Sequence, residues 1–231
     1  MIYRALATDY DGTIAQDGLV DEITSEALRR ARAAGLTLVL VTGRELQDLV
    51  HTFTHAEVFH LIVAENGAVL YDPSTRAVEM LAEPAPRALV EALERAGVPV
   101  FAGRSIVATV TPHENVVLKA IHDLRLDWHV IFNKDAVMAL PSDVTKATGL
   151  RAALRRLGIA PFDVVGVGDA ENDQAFLRVC GLSVAVSNAL DEVKASADLT
   201  TAGERGAGVR ELIARLLSGA LPPSSRARAG S

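Results

Sequence analysis

The stretch Leu36-Thr37-Leu38-Val39-Leu40-Val41-Thr42-Gly43-Arg44 opens as a nearly continuous apolar run of strand length and closes on a polar turn. A strand with one wet face alternates apolar with polar residues. A run without alternation suits a parallel strand buried on both faces by helices. The flanking residues supply those helices. Upstream, Ile23, Ala27, Leu28, Ala31 and Ala34 recur at helical spacing over 21–34 and stop at Gly35. Downstream, 45–53 fits a short helix and 61–64 another strand. A strand over 2–8, weakened by Arg4, precedes them all and ends just before Asp9. The order β-α-β-α-β predicts an α/β protein, a Rossmann-like parallel sheet with helices on both sides.

Between Pro84 and Pro141 the rhythm changes. A helix over 87–96 leads to strands at 98–101 and 106–110 around Ala102-Gly103-Arg104. A second helix, 114–125, leads to strands at 128–132 and 136–140 around Asn133-Lys134-Asp135. This αββαββ order predicts an inserted α+β domain at 84–141, a small antiparallel-rich sheet covered by helices on one face. The first rhythm then resumes with a helix over 146–157, strands at 164–168 and 182–186, and helices over 172–179 and 209–217. The expected layout is a discontinuous core, 1–83 and 142–220, and a flexible tail over 221–231 that carries Pro222, Pro223, Ser224 and Ser225.

Composition narrows the class of protein. Of 231 residues, 49% are hydrophobic and 23% charged, enough apolar matter for a buried core and too much for general disorder. No apolar run approaches the roughly 18 residues that cross a bilayer. Met1-Ile2-Tyr3-Arg4 lacks the order of a signal peptide. A formal net charge of −6 argues against nucleic acid or an anionic membrane as partner. The single cysteine, Cys180, forms neither an internal disulfide nor a thiolate cluster and reads as a small core residue. The expectation is a soluble cytoplasmic protein.

Acidic residues gather where the strands end. The first strand ends Thr8-Asp9-Tyr10-Asp11-Gly12-Thr13, and a later one ends Val167-Gly168-Asp169-Ala170-Glu171-Asn172-Asp173. In an open parallel sheet, ligands bind beyond the carboxyl ends of the strands. Carboxylates collected there repel and raise each other's pKa unless a hard divalent cation such as Mg²⁺ neutralises them. Asp9 and Asp11, two residues apart, project from one face of an extended chain about 7 Å apart. Such a pair can divide phosphoryl transfer, one carboxylate attacking phosphorus while the other protonates the leaving oxygen. Gly12 permits a sharp turn after them, and Thr13 offers a further donor. Lysine is scarce, and Lys146 opens the helix over 146–157, where its charge opposes the helix dipole. His51 and His55 share the i, i+4 spacing of a metal pair, but no third ligand accompanies them, and a surface reading is preferred.

These segments, in this order, resemble the motifs of the haloacid-dehalogenase-like hydrolase superfamily. Asp9-Tyr10-Asp11-Gly12-Thr13 is similar to its first motif, Thr42-Gly43-Arg44 to its second, Lys146 to its third and Gly168–Asp173 to its fourth. The αββαββ insert resembles the type-IIB cap of Cof-type phosphatases. Glu65-Asn66-Gly67-Ala68 and Gly206-Ala207-Gly208-Val209 are also similar to that group. The resemblance implies a nucleophile at Asp9 and a general acid and base at Asp11. It implies phosphoryl or substrate contacts from Thr42, Gly43, Lys146 and Asn172. It implies Mg²⁺ held by Asp9, the Asp11 backbone carbonyl and Asp169, with Asp173 as a further ligand or a support.

Two departures stand out: Tyr10 where an aliphatic residue or Phe is usual, and Ala147 where Gly often follows the lysine. The small cap resembles that of archaeal-type phosphoglycolate phosphatases and sucrose-phosphate-phosphatase-like proteins. The implied activity is hydrolysis of a small phosphomonoester through an aspartyl-phosphate, with a homodimer as one expected assembly. A phosphomutase of the same superfamily is the nearest alternative, and a phospho-accepting signalling protein a more distant one. Arg104, His113, Asn133 and Lys134 are polar positions of the cap without an assigned role.

Overall fold

The structure, a computed structural model, describes residues 3–133 and 135–224. Expectations that fall on Ile2, Lys134 and residues 225–231, and on the side chain of Asn133, lie outside the described residues. The first part of the chain forms β1 (Ala5–Thr8), α1 (Glu22–Ala33), β2 (Thr37–Val41), α2 (Leu46–Thr52), β3 (Leu61–Ala64), β4 (Val69–Asp72) and β5 (Ala77–Met80). Then come α3 (Arg87–Arg95), β6 (Phe101–Ala102), β7 (Val107–Val110), α4 (Glu114–Asp123), β8 (Trp128–Asn133) and β9 (Ala136–Pro141). The chain returns through α5 (Lys146–Leu157), β10 (Val164–Gly168), α6 (Gln174–Leu177), β11 (Leu182–Ala185), α7 (Asp191–Ser196), β12 (Leu199–Thr200) and α8 (Arg205–Ser218).

The larger sheet has eight strands in the order β12-β11-β10-β1-β2-β3-β4-β5. Pairing is parallel from β12 through β3, and β4 and β5 add antiparallel at one edge. The buried run over 36–41 forms β2, wholly enclosed from Leu38 to Val41. From β1 the chain moves to β2 on one side, while β10, reached through α5 after the cap, lies on the other. That reversal of winding at β1 opens a crevice between the ends of β1 and β10, which is where Asp9 and Asp169 follow their strands.

The smaller sheet, in the order β6-β7-β9-β8, is antiparallel throughout. Its two faces differ. Val107, Val137 and Ala139 pack with Leu89 and Leu93 of α3 and with Val117 and Ile121 of α4, a second hydrophobic core. The alternating residues Phe101, Ala108 and Met138, in cross-strand register, turn the other way, toward the larger sheet. The αββαββ order therefore stands as read from the sequence.

Some elements differ from expectation. Pairing of β6 starts at Phe101 rather than at 98, because Pro99 has no N–H to give to a ladder. The hairpin of β4 and β5, the short α7 and the edge strand β12 were not anticipated. The 172–179 helix is a 3₁₀ turn over Glu171–Asp173 followed by α6, and α8 begins at Arg205 rather than 209. Residues 221–224 are docked rather than frayed: Leu221 packs in the main core, and the Pro222 carbonyl accepts from the Tyr3 hydroxyl at 2.8 Å. None of the helices among the described residues is long and apolar enough to cross a membrane.

Candidate active site

Asp9 leaves β1 at its carboxyl end and is buried, 4% exposed. Its backbone N–H donates to the Val167 carbonyl of β10 at 3.0 Å, so the parallel pairing itself carries Asp9 beside the β10 loop. In that loop the Asp173 carboxylate turns back under Gly168. A Cβ on Gly168 would lie 2.6 Å from Asp173 Oδ2, so glycine is required there. Asp173 Oδ2 accepts the N–H groups of Asp169 and Ala170 at 2.9 and 3.0 Å. Thr13 Oγ1 donates to Asp169 Oδ1 at 3.0 Å and joins the first motif to the fourth.

Lys146 enters from α5. Thr145 and Thr148 cap that helix reciprocally, side chain to backbone at 3.2 and 3.0 Å, and so fix where it starts. Gly67, at φ +113°, lies against this start; a Cβ there would approach the Thr145 carbonyl oxygen to 2.0 Å. The lysine is buried, and its Nζ donates to Asp9 Oδ1 at 2.6 Å and to Asp173 Oδ1 at 2.5 Å. Burial alone would lower its pKa, but Asp173 and Asp9 outweigh that and hold the ammonium above its ordinary value. The helix-start lysine is thus compensated by carboxylates rather than by solvent. Burial, with repulsion from Asp173 and Asp169, pushes the Asp9 carboxyl well above the usual carboxylate range even though Lys146 opposes the shift.

Carboxylate oxygens of Asp9, Asp169 and Asp173 all lie within 4.8 Å of one another. An all-oxygen donor set with an ionisation penalty at Asp9 fits a hard divalent cation. Both oxygens of Asp173 accept hydrogen bonds, Oδ1 from Lys146 and Oδ2 from backbone N–H groups, while Asp9 and Asp169 accept from Lys146 and Thr13. The Asp11 side chain stands apart from this group. Arg44 grips it with Nε to Oδ2 at 2.6 Å and a terminal nitrogen to Oδ1 at 2.8 Å, and its other terminal nitrogen reaches Asp48 at 2.9 Å. The Arg44 guanidinium lies over the Tyr10 ring, 5.2 Å from its centroid. Tyr10 itself is buried, and its hydroxyl donates to the Gly18 carbonyl at 3.0 Å. Burial pushes that phenol up to about 12. The tyrosine departure from the family pattern therefore supports Arg44 from below.

Asp9, Asp11, Thr42, Gly43 and Arg44 line one cavity of about 890 Å³, closed on the opposite side by Phe101, Ile106 and Met138 of the cap. Thr42 is buried, and its Oγ1 accepts from the Arg44 N–H at 3.1 Å. Asn172 does not line the cavity. Its Nδ2 donates to Asn66 Oδ1 at 3.0 Å, and its own buried Oδ1 finds no partner among the described residues.

The sequence reading assigned no role to Glu65 and Asn66. Both sit at positive φ, +52° and +53°, a strained pair of non-glycine residues. The buried Glu65 carboxylate accepts three backbone N–H groups of the cap: Arg104 at 3.0 Å on one oxygen, Ser105 at 2.9 Å and Ile106 at 3.2 Å on the other. Asn66 Nδ2 reaches Met138 Sδ at 3.1 Å. The pair therefore ties the cap wall to the core beside motif two. Its local signal was the segment Glu65-Asn66-Gly67, which gives no hint of the distant partners.

With this geometry in view, comparison with known proteins gives a consistent result. The model of the haloacid dehalogenase-like hydrolase family matches residues 6–104 and 128–213. The chain belongs to that family. It is 30% identical over 222 residues to a phosphoglycolate phosphatase of Methanothermobacter thermautotrophicus, covering 93% of this chain and 99% of that one. It is 33% identical over 226 residues to a phosphoglycolate phosphatase of Halorubrum lacusprofundi, covering 91% and 96%. Among solved structures, a HAD subclass IIB sugar phosphatase superposes with a TM-score of 0.75 at 22% identity, covering 94% and 100%, and shares the fold.

Proposed function

We propose that the protein is a divalent-metal-dependent phosphomonoesterase, acting on a small organic phosphate such as phosphoglycolate or a sugar phosphate through an aspartyl-phosphate on Asp9. The observation that carries this reading is the chain Asp9–Lys146–Asp173 at the sheet's switch point, with Asp11 two residues on and facing the same cavity. The relatives named as phosphoglycolate phosphatases over nearly their whole length support the substrate class.

Asp9 attacks phosphorus as the bond to the leaving oxygen breaks, and Asp11, protonated, gives that oxygen its proton. Asp11, now a carboxylate, then takes a proton from the water that attacks the aspartyl-phosphate, which returns free phosphate and Asp9. Lys146 holds one Asp9 oxygen, orients the nucleophile and supplies a positive charge as charge builds on the phosphoryl oxygens. Thr42 and Gly43, at the turn after β2, border the space for those oxygens. Mg²⁺, held by Asp9 and Asp169 with the Asp11 backbone carbonyl, would supply further neutralisation of the phosphoryl group. Arg44 must yield one oxygen of Asp11 before the acid step, because its fork occupies both.

The test is phosphate release from a panel of phosphomonoesters with Mg²⁺, with EDTA, and in Asp9→Asn. Turnover that needs the metal and vanishes in the variant supports the reading. Turnover that survives Asp9→Asn would remove the nucleophile from it.

A further inference from the structure

Two arginines line the cavity, and only one is used by the chemistry above. Arg44 is neutralised internally by Asp11 and Asp48. Arg205, at the first turn of α8, is the other. Among the described residues its one ion pair is with its sequence neighbour Glu204, at 3.2 Å, an exposed pairing that contributes little.

Its backbone, by contrast, is rigidly set. Arg205 adopts φ +46°, a conformation that a non-glycine residue keeps only when its surroundings hold it there. The holder is Asn188. Its Oδ1 accepts the Arg205 N–H at 2.7 Å, while its Nδ2 donates to the Gly12 carbonyl at 2.8 Å. One side chain thus indexes the arginine to the loop that carries Asp9 and Asp11.

Among the described residues, the rest of the wall offers nothing else to a second negative charge on the substrate. The described cap residues facing the cavity, among them Phe101, Ile106, Ala108 and Met138, are apolar. The core rim adds Asp17 and Glu45, which repel anions. From this placement we infer that Arg205 is the specificity residue of the site, receiving a carboxylate on the alcohol part of the phosphomonoester. This deepens the phosphatase reading and rests on it. An acidic rim with one indexed cation orients a carboxylated ester with its phosphoryl end at Asp9, and gives a neutral alcohol no such anchor.

The experiment compares 2-phosphoglycolate with p-nitrophenyl phosphate in wild type, Arg205→Gly and Arg205→Lys, under Mg²⁺. Glycine suits the positive φ without strain, so that variant removes the side chain and keeps the turn. The ratio of kcat/KM for 2-phosphoglycolate to that for p-nitrophenyl phosphate should fall about tenfold or more in Arg205→Gly, as for loss of one charge-assisted contact, chiefly through KM. Arg205→Lys should recover part of it. An unchanged ratio, or equal losses on both esters, overturns the assignment. Wild type that hydrolyses p-nitrophenyl phosphate but no carboxylated ester overturns it too, while leaving the phosphatase reading in place. Wild type that hydrolyses no ester at all sinks that reading, and the inference with it.

Discussion

The two walls of the cavity are built on opposite principles. The core wall is backed, behind Asp9, by a network of buried charges, Asp9, Lys146 and Asp173, in which every partner is itself held by backbone or side-chain hydrogen bonds. The cap wall is apolar among its described residues, and Glu65 joins it to the core through backbone N–H groups, with Asn66 beside it on Met138. A charge network in a low-dielectric interior is strong when complete and costly when one member is lost. An apolar wall tolerates exchange, provided that its position is kept. Chemistry should therefore fail abruptly on the core side and selectivity should shift gradually on the cap side.

The largest effect belongs to Asp9→Asn, which should reduce kcat/KM by about 10⁴-fold or more, as loss of a covalent nucleophile does. The contrast sharpens in stability. Because burial and neighbouring carboxylates hold the Asp9 carboxyl high, ionising it opposes folding of the metal-free protein as pH rises toward and through its folded-state pKa. Thermal melts of metal-free Asp9→Asn near neutral pH should consequently show no loss of Tm. A large drop there would mean that the Asp9 contact to Lys146 stabilises the fold by more than the ionisation of Asp9 opposes it.

Lys146→Met reverses this pattern. It leaves Asp9 and Asp173 buried without their cation, a change that should cost about 3–5 kcal/mol. Denaturant titration of the metal-free protein would measure it, and Mg²⁺ should return part of the loss by neutralising Asp9. A cost below about 1 kcal/mol, the range of exposed pairs, would show that the network is solvated rather than closed.

How far the sequence could be read follows the same division. Asp9 and Asp169 each follow a strand of the parallel sheet and Lys146 opens a helix; that these three side chains gather at one end of the sheet was legible from their places in the chain. The continuous apolar run ending at Val41 was legible because parallel strands are buried on both faces. The hydrogen bonds of Asp173 to Lys146 and to two backbone N–H groups were not legible, because they depend on where its two oxygens point. Glu65 was opaque because its partners are backbone N–H groups about forty residues away, and a backbone donor leaves no mark in a sequence. The edge strand β5 was missed because Ala77, Val78, Glu79 and Met80 are all exposed, so no buried face imposes a pattern on them. At Arg205 the helix begins with a left-handed residue that periodicity alone passes over.

Glu65→Gln tests the junction between the walls. A glutamine presents one acceptor oxygen and one NH₂, so at least one of the three cap N–H groups loses its partner and faces a donor. Local opening of the loop over 103–106 should become easier by about 1–3 kcal/mol. Hydrogen exchange at the Arg104, Ser105 and Ile106 amides should accelerate accordingly, while the amides of β1 and β2 keep their protection. Acceleration spread evenly over both sheets would show that Glu65 supports the whole fold and does not act as a local tie.

The smallest expected effect is at Phe101. The residue is 63% exposed yet borders the cavity, so truncation removes little buried area and much of the apolar wall. Phe101→Ala should leave stability within about 0.5 kcal/mol. The lost aromatic surface should raise KM about threefold to tenfold for p-nitrophenyl phosphate, whose ring can lie against it, and less for 2-phosphoglycolate, whose two carbons barely reach past the phosphoryl group. This is opposite in direction to the Arg205→Gly shift. If Phe101→Ala and Arg205→Gly moved the substrate ratio the same way, the cap and core walls would not be reading different parts of the leaving group, and the division between an apolar wall and an indexed cation would fail.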